Sequence, residues 1–296
     1  MNHFSLKARK KFPGKILIIG SDGTLGSAMK SLLRELDISA FFSTRNLQSK
    51  EADHIYLDLN NPNIDVEKFD VIVYLAQSSR YRDYPAGLGD LSQINIVAPS
   101  VISRAALRGG AKFVYFSTGS VYEPSDRCLN ESSQLKRQGL LDSYSLSKLL
   151  GESQISDISS SNLVIRPFFI YGKNAKESSL FPSLVRSVLQ EKEITLAGET
   201  GLVFNPISSR QAALALIHLI ECDAAGTYNI SGYESTHLKA VVEKISRKLN
   251  KKPTFKVLPG SSQLLGDTEK LKATGFTYSE SLDEGLSNFL SEIKLP

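Results

Sequence analysis

The sequence predicts an α/β fold: a doubly wound parallel sheet followed by a smaller C-terminal α/β region. Short, nearly continuous apolar runs alternate with longer amphipathic stretches as far as Gly172, and strands buried on both faces read as unbroken apolar runs. The first run leads straight into a glycine-rich turn and then a helical pattern, the order of a strand–helix–strand unit. After Gly172 the rhythm changes, which predicts the second region.

Along the chain, the first strand is Lys15–Ile19, aliphatic up to Gly20, and Leu25–Leu36 is the amphipathic helix after it. Strands are expected at Ala40–Ser43, Ile55–Leu57 and Val71–Ala76, a helix at Ile94–Leu107, a strand at Phe113–Ser117, a helix at Tyr144–Ser153 and a strand at Leu163–Arg166. Beyond Gly172, Leu180–Gln190 and Thr236–Leu249 read as helices, and Thr227–Ile230 and Phe255–Leu258 as strands. Ser281–Ile293 is a last amphipathic helix. No repeat and no Gly-, Ser- or Pro-rich linker separates the halves, so the second is expected to pack on the first.

The 296 residues suffice for one large unit or two domains, at about 150 residues each. Residues are 41% hydrophobic and 22% charged, with 20 glycines and 11 prolines, which excludes disordered and low-complexity classes. Five of the 35 basic residues (Lys7, Arg9, Lys10, Lys11 and Lys15) lie in the first 15 positions without an acid among them. The rest of the chain carries 30 basic against 31 acidic residues. A body so close to neutral argues against a nucleic-acid partner; the basic leader, residues 1–12, reads as a solvated tail. Two distant cysteines, Cys128 and Cys222, exclude a disulfide scaffold, and four scattered histidines give no metal spacing. The apolar run after the leader is too short for a signal peptide, and no stretch approaches the ~20 residues of a membrane span. A cytoplasmic protein with no membrane partner is expected.

The first strand ends in Gly20-Ser21-Asp22-Gly23-Thr24-Leu25-Gly26. Such a turn lets backbone approach a pyrophosphate at the positive N-terminus of the next helix, which points to a dinucleotide. Its G-x-x-G-x-x-G spacing differs from the commoner G-x-G-x-x-G; the strand–turn–helix context carries the reading, since glycines here can also serve packing alone. Tyr144 has Lys148 four residues on, which places both on one helix face. A nearby ammonium favours phenolate, which makes Tyr144 a candidate general acid/base; a plain surface contact is the alternative. Thr118, in Phe116-Ser117-Thr118-Gly119-Ser120-Val121-Tyr122, lies at a strand's carboxyl end, where ligands of open α/β sheets bind. Residues there can equally be turn formers.

Together these elements resemble the extended short-chain dehydrogenase/reductase family of NAD(P)-dependent sugar epimerases, dehydratases and reductases, over nearly the whole chain. Asp58-Leu59 is similar to the acidic dipeptide that approaches adenine, Tyr74-Leu75-Ala76-Gln77 to H-L-A-A, and Asn95 to the family's helix asparagine. Tyr144 to Glu152 is similar to Y-x-x-S-K-x-x-x-E, and Arg166-Pro167 through Gly172 to R-P-x-N-x-Y-G. Tyr228 to Gly232 resembles the Y-N-v-g-g strand, and Gly275 to Leu286 the family's ending.

The resemblance implies a Rossmann-type domain over 13–172, rejoined by part of 205–232, and a substrate-binding region over 173–296. It implies cofactor contacts at the glycine turn (Gly20, Ser21, Asp22, Gly23, Thr24, Leu25, Gly26) and at Asp58, Leu59, Leu75, Ala76, Gln77, Asn95, Tyr144, Lys148 and Pro167. Thr118 holds the substrate oxygen, Tyr144 exchanges its proton, and Lys148 grips the nicotinamide ribose and depresses the tyrosine pKa. A homodimer and a sugar or nucleotide-sugar substrate are also implied.

Departures from the family pattern matter. Phe169 replaces the asparagine of R-P-x-N, and Phe204 stands where an arginine often meets a nucleotide diphosphate. Substrate contacts are expected around Phe204–Gln211, with Arg210 the candidate for a phosphate or carboxylate, or else a surface salt bridge. The second strand ends Ser43-Thr44-Arg45-Asn46 without an acid, which favours NADP(H) over NAD(H), Arg45 taking the phosphate. Gly119 and Ser120 replace the Asp-Glu pair of 4,6-dehydratases, so dehydration is not expected. The favoured activity is NADPH-dependent reduction of a 4-keto sugar. A nucleotide-sugar epimerase and a non-catalytic dinucleotide-binding sensor or assembly protein are the alternatives.

Overall fold

A computed structural model describes residues 14–293 apart from 50, 138 and 140. The basic leader therefore lies outside the described residues. The first half contains β1 (Ile16–Ile19), α1 (Thr24–Glu35), β2 (Ala40–Thr44), β3 (His54–Tyr56), β4 (Val71–Tyr74), α2 (Leu88–Ser92), α3 (Ala98–Arg108), β5 (Lys112–Phe116), α4 (Ser143–Ile158), β6 (Leu163–Pro167) and β7 (Ile170–Tyr171). There follow α5 (Leu180–Leu189), β8 (Ile194–Ala197), β9 (Val203–Phe204), β10 (Ile207–Ser208), α6 (Ser209–Glu221), β11 (Gly226–Ile230) and β12 (Thr236–His237). The chain ends with α7 (Leu238–Lys248), β13 (Phe255–Leu258), β14 (Gln263–Leu264), α8 (Glu269–Ala273) and α9 (Leu282–Glu292).

Seven strands form one sheet in the order β11-β6-β5-β4-β1-β2-β3, and every neighbouring pair is parallel. This is the Rossmann-type arrangement. The strand order reverses between β1 and β4, and the crevice outside their carboxyl ends is where such sheets bind ligands. The central strands are buried on both faces, as their unbroken apolar sequences require: β1 and β4 are buried throughout. One core lies under α1 and α6, and a second lies on the opposite face under α3 and α4. A third gathers α5, α7 and α9 around Phe181, Phe204 and Phe289. β11 pairs with β6 and α6 packs on α1, so residues 209–230 complete the large sheet layer although they follow the change of rhythm.

The expected helix Ile94–Leu107 is interrupted. A π-helical stretch, Gln93–Val97, joins α2 to α3. Widening the turn displaces carbonyls from the usual ladder, and two sheet tyrosines bond carbonyls there: Tyr74 donates to Ile94 O (2.6 Å) and Tyr115 to Asn95 O (2.7 Å). Pro99 falls in the first turn of α3, where a missing N–H is tolerated.

Candidate active site

The glycine turn is built by close backbone approach. Gly20 takes φ +91°, and a Cβ there would lie 2.7 Å from the Ala76 nitrogen. The turn thus rests on the tail of β4, against Leu75 and Ala76, with Gln77 next in the chain. At Gly26 a Cβ would lie 2.3 Å from the Gly20 oxygen, so the start of α1 packs directly on the turn. Gly23 differs: its Cβ would meet nothing nearer than the Gly20 oxygen at 3.7 Å. Gly23 is also the N-cap of α1 and offers no side-chain hydrogen bond. The first N–H groups of α1 therefore have no side-chain cap, at the positive end of the helix dipole.

Two bonds pin this turn to β2: Gly20 N donates to Ser43 Oγ (3.2 Å) and Ser21 Oγ to Ser43 O (3.4 Å). Asp22 and Gly23 are exposed, and Thr24 is half-buried. Arg45, exposed just beyond β2, is paired with no carboxylate among the described residues. Asp58 accepts from the Asn60 backbone (2.9 Å), and Leu59 O accepts from Gln93 (2.8 Å). An uncapped helix N-terminus behind a glycine-rich turn fits a dinucleotide pyrophosphate. Asn95, by contrast, is wholly buried and bonds Ser147 Oγ (2.9 Å) and Ser78 N (3.4 Å). It positions α4 and the tail of β4, and has no surface to offer a cofactor.

Asp142 fixes where α4 begins. Its carboxylate accepts from Ser145 N (2.8 Å) and Ser145 Oγ (3.0 Å), a cap worth about 1 kcal/mol. Tyr144 therefore falls in the first turn and Lys148 one turn deeper. Thr118 lies just beyond β5; its Oγ1 accepts from Ser120 N (3.2 Å), and its side chain is near enough to Tyr144 to exert a lowering effect on the phenol's pKa. The predicted threonine and tyrosine are thus neighbours.

Lys148 departs from expectation. It is buried at 2% exposure, its Nζ donates to Phe116 O (2.8 Å) and it lies 5.1 Å above the Tyr115 ring. The ammonium does not depress the phenol here. Burial dominates instead, pushing the Tyr144 phenol up to about 12 against the smaller, lowering effect of Thr118. Burial also brings Lys148 down to about 7, with Glu152 opposing.

Behind the pair lies a buried network that sequence reasoning quoted as motif but gave no role. Arg166 grips Glu152 with Nε (3.1 Å) and Nη2 (2.6 Å), and Nη1 donates to the Tyr122 hydroxyl (2.9 Å). That hydroxyl donates to Asn229 Oδ1 (2.8 Å), and Ser117 Oγ bonds Glu152. The ends of β5, β6 and β11 are thereby tied to α4. Glu152 could have been found from its position four residues beyond Lys148, on the same helix face.

Of the substrate candidates, Thr118 lies at this site, whereas Phe204 and Arg210 are not brought to it. Phe204 is wholly buried in the third core, edge-on to Phe169 at 5.0 Å. Arg210 turns to α1 and makes a two-pronged bond to Glu35 (2.8 and 2.9 Å), the surface salt bridge of its two readings. Their segment is occupied by structural work: Asn205 Nδ2 donates to Gly232 O and Gly266 O, and Ser208 caps α6. Pro167 is half-buried at the end of β6. Phe169 adopts φ +45°, a left-handed conformation that asparagine tolerates better than phenylalanine. The residue that does meet Tyr144 was not foreseen: the Tyr81 ring lies 5.3 Å from it, centroid to centroid.

Residues 16–231 match the model of the NAD dependent epimerase/dehydratase family. A probable low-salt glycan biosynthesis reductase of Haloferax volcanii is 22% identical over 237 residues, 77% of this chain and 78% of that protein. The fold is shared with a dTDP-4-dehydrorhamnose reductase of Bacillus anthracis in complex with NADP, at TM-score 0.75 and 20% identity, covering 95% and 99% of the two chains. It is shared too with a UDP-glucuronic acid 4-epimerase of Bacillus cereus in complex with UDP-glucuronic acid and NAD, at TM-score 0.80 and 20% identity, covering 94% and 98%.

Proposed function

The chain belongs to the NAD dependent epimerase/dehydratase family, and from that premise we propose that it is an NADPH-dependent reductase of a nucleotide-linked 4-keto sugar. The observation that carries this reading is the juxtaposition of Thr118, just beyond β5, with Tyr144 in the first turn of α4, at the carboxyl edge of the sheet. Beside it stand Gly119 and Ser120, neither of which titrates usefully, where elimination of water would need an acid and a base.

The glycine turn and α1 hold the pyrophosphate, and Arg45, without an acid near it on β2, takes the 2′-phosphate. When bound, the nicotinamide supplies the hydride. Thr118 orients the ketone oxygen, and Tyr144 donates the proton that completes the alcohol; with a phenol raised to about 12, it is a proton donor at neutral pH. Lys148, whose Nζ donates to the Phe116 carbonyl, exchanges that partner for a ribose hydroxyl. The same residues serve epimerisation, in which hydride leaves and returns to the opposite face, so this is the second reading. A homodimer is part of the proposal, supported by Val97, Val101 and Leu150, exposed at 45%, 42% and 40% on and just before the packed pair α3 and α4. So is a cytoplasmic setting, supported by the two-cysteine sequence; among the described residues no helix is long and apolar enough to cross a membrane.

The test is turnover of a dTDP-linked 4-keto-6-deoxyhexose with NADPH or NADH, by wild type and by Tyr144→Phe. Stoichiometric NADPH consumption is expected, with a loss of about 10²–10⁴ in the variant while cofactor binding persists. Isomerisation of a nucleotide sugar without added reductant selects the epimerase reading. Cofactor binding with no turnover of any keto sugar selects the sensor.

A further inference from the structure

Two loops from opposite parts of the chain meet over Tyr144. One follows β4 and carries Arg80, Tyr81, Arg82 and Asp83; the other lies between β7 and α5 and carries Lys176, Glu177 and Ser178. Tyr81 is the contact between the first loop and the reacting centre, 5.3 Å from the Tyr144 ring. Its ring is flanked by two cations, the Arg82 guanidinium at 5.1 Å and the Lys176 ammonium at 5.3 Å. Arg82 also donates to Ser178 O (3.3 Å), which joins the loops.

The local carboxylates do not neutralise these cations. Asp83 is taken by Arg80 (3.4 Å) and Glu177 by Arg186 (3.6 Å). Among the described residues neither Arg82 nor Lys176 is paired with a carboxylate, and both are exposed. Stacking on the half-buried Tyr81 ring holds an exposed cation only weakly, by about 0.5–1 kcal/mol. An anion offered at the same place forms charge-assisted bonds of greater strength.

We propose that Tyr81, Arg82 and Lys176 form a substrate subsite for an anionic group, with the Tyr81 ring as its floor against Tyr144. It rests on the nucleotide-sugar reading and deepens it, by naming the residues that would hold an anionic group of that substrate. Two sources offer that chemistry, a carboxylate on the sugar and the diphosphate linking sugar to nucleoside.

The experiment measures calorimetric binding of UDP, UDP-glucose and UDP-glucuronic acid to the NADPH-loaded protein and to the double variant Arg82→Gln/Lys176→Gln. Both substitutions are at exposed side chains, and unchanged NADPH affinity reports the fold. Weakening of UDP-glucuronic acid alone, by roughly 10- to 100-fold, supports the subsite and assigns it to a sugar carboxylate. Equal weakening of all three supports it and assigns the diphosphate. Tyr81→Ala should reduce the affinity of both sugar-bearing probes, with UDP as the comparison. Undiminished binding of all three by the double variant overturns the subsite while leaving the nucleotide-sugar reading intact. A wild type that binds NADPH but neither these probes nor a dTDP-linked 4-keto-6-deoxyhexose overturns both.

Discussion

The glycine turn after β1 and the segment Phe204–Gln211 were both expected to touch ligand, and the fold treats them oppositely. At Gly20–Gly26 the site is made of backbone: two glycines bring the turn against β4 and α1, and the third leaves helix N–H groups uncovered. At 204–211 the residues are side chains turned inward or sideways. Phe204 fills a core, Asn205 bonds two neighbouring carbonyls, and Arg210 crosses to Glu35. A backbone site is written in local sequence because only glycine permits it. A side-chain site depends on what tertiary packing places opposite each residue, which no local pattern contains.

The largest expected effect sharpens this comparison by testing a side-chain construction that does hold the site. Arg166 and Glu152 are 6% and 7% exposed. Removing one partner of such a pair leaves the other charge buried, and breaking it costs about 3–5 kcal/mol. Arg166→Ala should show that loss in urea unfolding, and activity should fall with it because α4 carries Tyr144. Stability within about 1 kcal/mol of wild type would mean that backbone packing alone anchors α4.

The middle effect separates the three glycines. Gly23→Asp adds a side chain where space exists, and aspartate is a favoured N-cap, so stability should rise by about a few tenths of a kcal/mol. The same carboxylate faces the expected pyrophosphate, so cofactor affinity should fall by roughly 10- to 100-fold. Opposite signs in melting and cofactor titration are the signature of a ligand cradle. A parallel loss in both would make Gly23 a packing glycine like Gly26.

The sheet was legible because each buried strand is a short aliphatic run, and its boundaries fall within about two residues of those expected. Thr118 and Tyr144 were legible from position at a strand end and a helix start. The π-helical stretch before α3 was not, since it depends on Tyr74 and Tyr115 reaching across from the sheet. The target of Lys148 was not legible either: helical spacing puts it on the face of Tyr144, but the Phe116 carbonyl that it bonds comes from β5. Tyr81 escaped notice for the same reason, because its neighbours Tyr144 and Lys176 are distant in sequence.

The smallest expected effect falls on Arg210. Its bond to Glu35 lowers the carboxyl's pKa and raises the guanidinium's, through that hydrogen bond above all. Both side chains are about half exposed, 52% and 53%, so water competes for the charges. Exposed pairs of this kind contribute about 0.2–1 kcal/mol even when the geometry is two-pronged. Arg210→Ala should therefore lower stability by no more than about that amount, less at high salt, and leave the sugar KM unchanged. The salt dependence matters, because a screened surface pair loses its contribution in wild type and the variant then unfolds at the same urea concentration. A several-fold rise in KM at constant stability would return Arg210 to the substrate and dissolve the contrast between the two regions.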